Sequence, residues 1–325
     1  MAQSNFKVEV ARVRQLTERV KEYLLTSVDG RPLPEYAPGS HVAIHTVSPQ
    51  RGLIVRHYSL VGGSDSESDP RTTYRIAVQR ESDTRGSAHI HATFAPGTRV
   101  EIAPPMNNFP LDRRHGPVLL IAGGIGITPI FSMARSLARR RRPFGVVYAG
   151  RNRDSMAYHD ELGCIAADAA VFHYSDGGGL LDLLKLLREQ QNGTTVYVCG
   201  PEALISATHA AGQALGWSAD RVRSEAFGAG RSEDSHAFDV RLLRSGRVVR
   251  VSEDASILDA LNAAGVPVLW DCRRGECGLC PLPVAYSDGP LQHRDRYLTD
   301  DEKAAGDTMC ICVSRTKGRE IVLDA

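Results

Sequence analysis

Cys272, Cys277 and Cys280 stand in the run DCRRGECGLCP, Asp271 to Pro281, at the spacing C-x4-C-x2-C, and Cys310 and Cys312 follow further along. Thiolates at this spacing hold the two irons of a plant-type [2Fe–2S] cluster. Gly275 and Gly278 stand between the ligands, where the lack of a Cβ lets backbone N–H groups turn towards the sulfides. Zinc sites usually pair two C-x2-C knuckles, and only one such pair is present. The seven cysteines are an odd number and five of them cluster near the C-terminus, which argues for metal rather than disulfides and fits a reducing cytoplasm. The spacing predicts a one-electron centre whose fourth ligand is Cys310 or Cys312.

The rest of the chain must feed that centre. At 325 residues it has room for two or three domains. Hydrophobic residues at 42% and charged residues at 24% are ordinary for soluble globular protein. Lys+Arg 39 against Asp+Glu 38 leaves no polyelectrolyte character, which disfavours nucleic-acid binding. The start, MAQSNFKVEVARV, lacks the apolar core of a secretory signal. The longest apolar stretch, Val118 to Ile130, is interrupted by three glycines and a proline, so no membrane span is expected.

From Phe6 to Ile102 short runs alternate with period two, as in Phe6-Val8-Val10, His41 to Ile44 and Tyr74 to Val78, with turn-rich stretches between them. An antiparallel β-barrel of about six strands is the economical reading, with no long amphipathic helix. Within it Arg56-His57-Tyr58-Ser59-Leu60 reads R-x-Y-S-L on a strand. Alternation puts Arg56 and Tyr58 on one face, a cation for a phosphate beside a ring able to lie on an isoalloxazine. Ser59 can donate to a ring heteroatom. Val78-Gln79-Arg80 followed by Thr84-Arg85-Gly86-Ser87 offers backbone N–H groups, a hydroxyl and a guanidinium to a terminal phosphate. His89 and His91 form H-x-H with no third ligand in view, and are read as surface histidines.

At Pro117 the pattern changes to strand–helix repeats. Val118-Leu119-Leu120-Ile121 is continuously apolar, as a parallel strand buried on both faces must be. Gly123-Gly124-Ile125-Gly126-Ile127-Thr128-Pro129 then opens a helix from about Ile130 to Arg140, the strand–glycine turn–helix arrangement of a pyrophosphate site. Pro129 replaces the third glycine and suits the first helical position. Further strands are predicted at Phe144 to Tyr148, Ala170 to Tyr174, Val196 to Cys199 and Val222 to Glu225, with helices at Leu180 to Arg188 and Glu202 to Leu215. Cys199-Gly200-Pro201 falls at a strand's C-terminal end, where ligands bind in open α/β sheets. After Phe227 a polar, glycine-containing stretch reads as a linker. A hairpin of Phe238 to Leu243 and Val248 to Val251 follows, then a helix from Ile257 capped by Ser256 and ended by Gly265.

In this order the R-x-Y-S-L strand, the G-G-I-G-I-T-P turn, Cys199-Gly200-Pro201 and the terminal cysteines resemble the phthalate dioxygenase reductase family over essentially the whole chain. The resemblance implies a multidomain protein with four segments. These are an antiparallel β-barrel flavin domain (1–114), a parallel-sheet α/β NAD domain of ferredoxin-reductase type (115–227), a linker (228–236) and an α+β plant-type, β-grasp ferredoxin domain (237–325). It places Arg56, Tyr58 and Ser59 on the flavin and Arg85, Gly86 and Ser87 on its phosphate, with Val78 and Arg80 beside them. It sets Gly124, Gly126 and Thr128 along the pyrophosphate and nicotinamide path, Cys199, Gly200 and Pro201 near the nicotinamide, and Glu225 and Phe227 near the flavin. Cys199, Thr128 and Ser59 are then expected where hydride passes from NADH to flavin N5. The R-G-S phosphate element favours FMN and leaves FAD open; NADH is favoured over NADPH.

The partner implied is a terminal Rieske non-haem iron oxygenase acting on an aromatic acid. The rival is an FAD reductase serving a cytochrome P450 or a diiron hydroxylase. A cytoplasmic monomer is expected. Two departures stand out. The family's R-G-G-S is one residue shorter here, and the gap to the last cysteine is two residues longer. Counting favours Cys310 as the fourth ligand, with 29 residues between it and Cys280 against 31 for Cys312. Cys312-Val313-Ser314-Arg315 matches the family's C-V-S-R, and the turn Ser287-Asp288-Gly289-Pro290 can absorb the insertion. Cys272, Cys277, Cys280 and Cys312 are therefore the expected ligands.

Overall fold

The computed structural model describes residues 5–48, 52–62, 72–81, 86–112, 116–227, 236–253, 255–270, 275 and 277–325. The alternating first third forms β1 (Phe6–Thr17), β2 (Val20–Ser27), β3 (His41–Ser48), β4 (Gly52–Ser59), β5 (Thr73–Gln79) and β6 (Arg99–Ile102). They pair antiparallel in the order β4-β3-β6-β1-β2-β5. A bridge between Leu60 and Ile76, with the Val61 N–H donating to the Arg75 carbonyl at 2.9 Å, joins the two edge strands and closes the barrel. Closure leaves no edge open to another chain. Inward positions such as Val8, Tyr23, Leu25, Ile44 and Ile76 are fully buried in its core.

One element departs from the sequence reading. Gly86–Thr93, part of it expected as a phosphate-binding loop, is a two-turn helix. It carries no apolar stripe to announce it and is anchored to the barrel core by Ile90 and by Phe94 just beyond its end.

The middle of the chain forms β7 (Val118–Gly123), β8 (Phe144–Gly150), β9 (Ala170–Tyr174), β10 (Thr195–Gly200) and β11 (Val222–Ala226). The sheet order is β11-β10-β7-β8-β9, and the ladders among β7, β8, β9 and β10 are parallel. All six residues of β7 are buried, as a central strand covered on both faces requires. The helix after β7 spans Ile127–Arg139, three residues earlier than the sequence suggests, because the turn Gly124–Gly126 is itself helical. Pro129 thus sits third in the helix rather than first, still in the turn whose N–H groups need no intrahelical partner. A helix at His159–Ala166 was not expected; only Leu162 and Ala166 anchor it, too few apolar positions for a readable period. The core of this lobe continues into the barrel, where Val20, Val61 and Ala77 join it.

The last part carries β12 (Phe238–Leu242), β13 (Val248–Val251), β14 (Pro281–Ser287), β15 (Leu291–Gln292), β16 (Thr308–Cys310), β17 (Arg315–Thr316) and β18 (Glu320–Leu323). A mixed sheet runs β13-β12-β18-β14-β16, with β12 and β18 parallel and the remaining ladders antiparallel. The helix Ile257–Ala263 begins at a capping box of Ser256 and Asp259 and buries Ile257, Leu258 and Leu261 in the core of this sheet. The chain divides into two compact units, Met1–Glu225 and Ala226–Ala325. No helix among the described residues is long and apolar enough to cross a membrane. A fragment of residues 1–230 should therefore fold alone; it is expected to be soluble with one cooperative thermal transition by circular dichroism. Recovery only as aggregate would contradict this.

Candidate functional site

Three places on the chain collect the residues singled out by sequence. The first lies on β4. Arg56 is exposed, Tyr58 is half-buried against the barrel core, and Ser59 is buried at 4% exposure. The ring's burial pushes the Tyr58 phenol well above its usual pKa, so it stays neutral. The helix start crosses this strand closely: a Cβ on Gly86 would stand 2.8 Å from Ile54 Cγ2 and 2.9 Å from Arg56 Nε. Only glycine allows that approach. Ser87 accepts a hydrogen bond from the Glu81 N–H at 3.0 Å, which ties the segment after β5 to the helix start. Val78 is fully buried and its carbonyl accepts from His91 Nε2 at 2.8 Å. His91 is therefore half-buried and engaged rather than a surface residue, while His89 lies 3.5 Å from the Thr46 hydroxyl. Arg80 follows β5, and its carbonyl takes the Arg19 guanidinium at 2.9 Å. Arg85 lies outside the described residues.

The fit to a ring-and-phosphate ligand rests on two observations. Arg56, Gly86 and Ser87 meet at a helix N-terminus, a place suited to an anion. The Ser59 hydroxyl is buried without a protein partner, and a buried polar atom left so is costly unless a ligand completes it.

The second place is the point where sheet order reverses, between β7 and β10. Cys199 pairs with Ala122 across the two strands. The turns leaving them are in direct backbone contact. A Cβ on Gly126 would stand 2.2 Å from the Cys199 carbonyl oxygen, and one on Gly200 would stand 3.0 Å from the Gly123 Cα. Gly124 adopts φ +52, and the Tyr148 hydroxyl donates to its carbonyl at 3.1 Å. Thr128, 2% exposed, donates to the Ile125 carbonyl at 3.1 Å and so braces the turn. Cys199 is wholly buried in the core of this lobe, and Pro201 opens the helix Glu202–Ala214. Glu225 is buried near the end of β11, and Phe227 beyond it is 36% exposed. A crevice of bare backbone at a switch point is the form open α/β sheets use for dinucleotides.

The third place is the cysteine loop. Cys272 lies outside the described residues, and Cys277 is half-buried. The thiols of Cys310 and Cys312 both donate to Cys280, and with a backbone N–H of Cys312 they hold its pKa low, at about 3. An anionic sulfur surrounded by donors is the state a thiolate ligand needs. Among the described residues no three His, Cys, Asp or Glu side chains form a group able to hold a lone ion. Gly275 and Gly278 both have positive φ, and a Cβ on Gly278 would stand 2.2 Å from the Tyr297 ring.

Met309 to Ser314 is not the continuous strand expected. β16 stops at Cys310, where Val313 and Ser314 both donate to the Cys310 carbonyl and turn the chain. Cys310 and Cys312 therefore do not share a strand face. Cys310 belongs to the ladder opposite Pro281, whereas Cys312 sits in the turn. The turn is pinned from the other side, since the Ser314 hydroxyl donates to Asp295 Oδ1 at 3.0 Å and Leu298 N–H to Asp295 Oδ2 at 2.9 Å. Arg315, 4% exposed, donates to the carbonyls of Ala255, His236 and Ser252 and lies over the Phe238 ring. The roles of Asp295 and Tyr148 were not read from the sequence: Asp295 stands in the polar run His293-Arg294-Asp295-Arg296 and Tyr148 at the end of an apolar strand, and neither place marks a hydrogen-bonding role.

Together these describe a barrel with a phosphate-and-ring site, a dinucleotide-type α/β lobe and a cysteine-loop unit, the parts of a modular electron-transfer protein. A family profile for the 2Fe-2S iron-sulfur cluster binding domain matches residues 240–317, and one for the dimethylamine monooxygenase subunit DmmA-like N-terminal domain matches residues 101–222. The chain is 39% identical over 327 residues to the carnitine monooxygenase reductase subunit of Escherichia coli (strain K12), covering 98% of both. It is 39% identical over 320 residues to the heme-dependent oxidative N-demethylase beta subunit of Ectopseudomonas mendocina, again covering 98% of both. The solved structure of phthalate dioxygenase reductase, described as modular for electron transfer from pyridine nucleotides to [2Fe–2S], superposes with TM-score 0.82 at 33% identity, covering 99% of this chain and 98% of that one. The chain belongs to the phthalate dioxygenase reductase family, and is an oxidoreductase.

Three substitutions test the assignments. Arg56→Ala should lower flavin content at least severalfold while leaving the iron–sulfur absorbance intact; flavin occupancy equal to the parent's would remove Arg56 from the phosphate site. Cys312→Ala should lose the cluster's iron and visible bands while Cys310→Ala keeps them, and the reverse pattern would make Cys310 the ligand.

Proposed function

We propose that this chain is the NADH-dependent reductase of an oxygenase system, passing electrons from a nicotinamide through FMN and a [2Fe–2S] cluster to a terminal oxygenase. A flavin bridges carriers that move electrons in pairs and carriers that move them singly, which is why the three sites occur on one chain. The observation that carries the reading is the buried, unpartnered Ser59 hydroxyl, three residues along β4 from the Arg56 that meets Gly86 and Ser87, on a chain that also holds a dinucleotide crevice and a cysteine loop.

The residues divide the work. Arg56, Arg85, the Gly86 amide and Ser87 hold the flavin phosphate, with Val78 and Arg80 shaping the neighbouring strand end. Tyr58, kept neutral by burial, packs along the ring, and Ser59 donates to a ring heteroatom. Gly124 and Gly126 admit the pyrophosphate to bare backbone. Thr128 fixes the turn, and Cys199, Gly200 and Pro201 form the opposite wall for the nicotinamide. Glu225 and Phe227 close the flavin side. Cys272, Cys277, Cys280 and Cys312 hold the cluster; the position of Cys312 in a turn, two residues from the Ser314–Asp295 pair, favours it over ladder-bound Cys310.

NADH is favoured over NADPH by two pairings near β8. Arg153 is engaged by Asp160 at 2.8 Å, and Asn152 holds the Asp176 carboxylate nearby at 3.1 Å, a charge that would repel a 2′-phosphate. The partner proposed is a Rieske non-haem iron oxygenase for an aromatic acid, in keeping with the likeness to phthalate dioxygenase reductase. A second reading has a specific support, the 39% identity to a heme-dependent oxidative N-demethylase subunit: the same reductase serving a haem oxygenase on an alkylamine. A cytoplasmic monomer completes the proposal.

The purified protein should show flavin and iron–sulfur bands that NADH bleaches anaerobically. NADH turnover coupled to Rieske and haem oxygenases in parallel separates the two partner readings. Colourless protein containing zinc would end both.

A further inference from the structure

A charged cluster on the outer face of the barrel belongs to neither cofactor site. Glu22 lies in β2 with 2% of its surface exposed. Tyr23 and Leu25 of the same strand face the barrel core, while Val20 and Glu22 face the nucleotide lobe. The Glu22 carboxylate is gripped by Arg14 through Nε and Nη2, each at 3.1 Å. It accepts the Tyr158 hydroxyl at 2.8 Å and lies 3.5 Å from Arg75 Nη1. Arg14 reaches on to Glu161 at 2.6 Å, and Arg75 to the same carboxylate at 3.7 Å. Glu22, Arg14 and Arg75 come from barrel strands, whereas Tyr158 and Glu161 come from the nucleotide lobe.

Arg75, 5% exposed, is the joint between the two cofactor sites. Its Nε donates to the Gly62 carbonyl at 2.9 Å, and Gly62 follows Ser59 closely in the chain leaving β4. Its guanidinium lies over the rings of Phe131 and Tyr158, 5.6 and 5.5 Å from their centroids, and those rings stack at 4.9 Å. Phe131 is one turn beyond Thr128 in the helix that opens on the Gly124–Gly126 turn. One side chain therefore touches both the segment that leaves the flavin strand and the helix that carries the nicotinamide turn.

We propose that Arg75, Glu22 and Tyr158 are positioning residues for hydride transfer, a clamp that sets how the nicotinamide turn approaches the flavin strand. This rests on the functional reading above. Apolar contact between the lobes is non-directional and tolerates sliding. The Tyr158 hydroxyl on Glu22 and the Glu161 carboxylate on Arg14 do not, because any slip between barrel and lobe takes a hydrogen-bond donor from a buried carboxylate and an anion from the arginine that holds it. Hydride transfer needs that rigidity, since reacting atoms must be held about 3–3.5 Å apart.

The test uses the full-length protein with Tyr158→Phe and Glu22→Gln, mixed anaerobically with NADH in a stopped-flow instrument. Flavin content, the cluster bands and thermal midpoint are read alongside the limiting rate of flavin bleaching and the NADH concentration at half-saturation. Both variants should keep their cofactors and their half-saturation value. Their limiting rates should fall about tenfold or more, as a misplacement of about 1 Å remote from the chemistry can cause. A clamp that served stability alone would lower the thermal midpoint and leave the limiting rate unchanged, and that result overturns the proposal. Tyr158→Phe removes one hydroxyl and keeps the stacked ring, so it decides the matter if Glu22→Gln does not fold. A parent protein that NADH fails to bleach overturns the functional reading and the clamp with it. A parent that bleaches, with variants to match, overturns the clamp alone.

Discussion

A carboxylate in a buried seam is tolerated only where cations and donors surround it, and Glu22 imposes that condition on the whole Met1–Glu225 unit. Removing one partner of such a group costs about 3–5 kcal/mol, a large part of a domain's net stability. The barrel therefore supplies Arg14 and Arg75, and the lobe supplies Tyr158, whose phenol is kept neutral first by burial and then by the nearby Glu22 charge. Tyr158 itself adopts a left-handed backbone, φ +61, at the start of the His159–Ala166 helix. For a bulky residue that conformation costs about 1–2 kcal/mol, offset here by the hydrogen bond and stacking it permits. Barrel and lobe are thus one folded body with a shared core, into which Val20 and Ala77 reach from the strands that carry Glu22 and Arg75.

A second constraint acts at the switch point, where two turns are packed backbone to backbone. Gly126 against the Cys199 carbonyl leaves no room for any side chain. The same absence of side chains leaves backbone N–H groups bare, as the turns of dinucleotide-binding α/β sheets do, so packing and the proposed binding ask for the same residue. The cysteine-loop unit repeats the logic with different parts. Gly275 and Gly278 lie against Asp295 and Tyr297, while Asp295 and Ser314 hold the last cysteine's turn in place. Arg315 fastens that turn to the segments flanking β12 and β13.

The fold was largely legible from the amino-acid order, for a local reason. Period-two alternation before Ile102, continuous apolar runs after Pro117 and a glycine turn ahead of a helix are local patterns. They yielded the barrel strands, the parallel sheet and the helix Ile257–Ala263 with its Ser256 cap. Two of the elements that escaped, Gly86–Thr93 and His159–Ala166, are short helices with one or two apolar anchors, held by tertiary contacts rather than by their own periodicity.

By itself the sequence determined which chemistry is available: thiolates at cluster spacing, an arginine–tyrosine–serine strand, and glycines ahead of a helix. Composition, spacing and backbone preference are properties of neighbours along the chain, so they survive without coordinates. Only the tertiary structure decided that β16 ends at Cys310, that Ser59 is left without a partner, and that Glu22, Arg75 and Tyr158 meet. Those facts depend on segments far apart in sequence, such as residues 22 and 158, whose encounter follows from packing of whole elements and leaves no trace in local pattern.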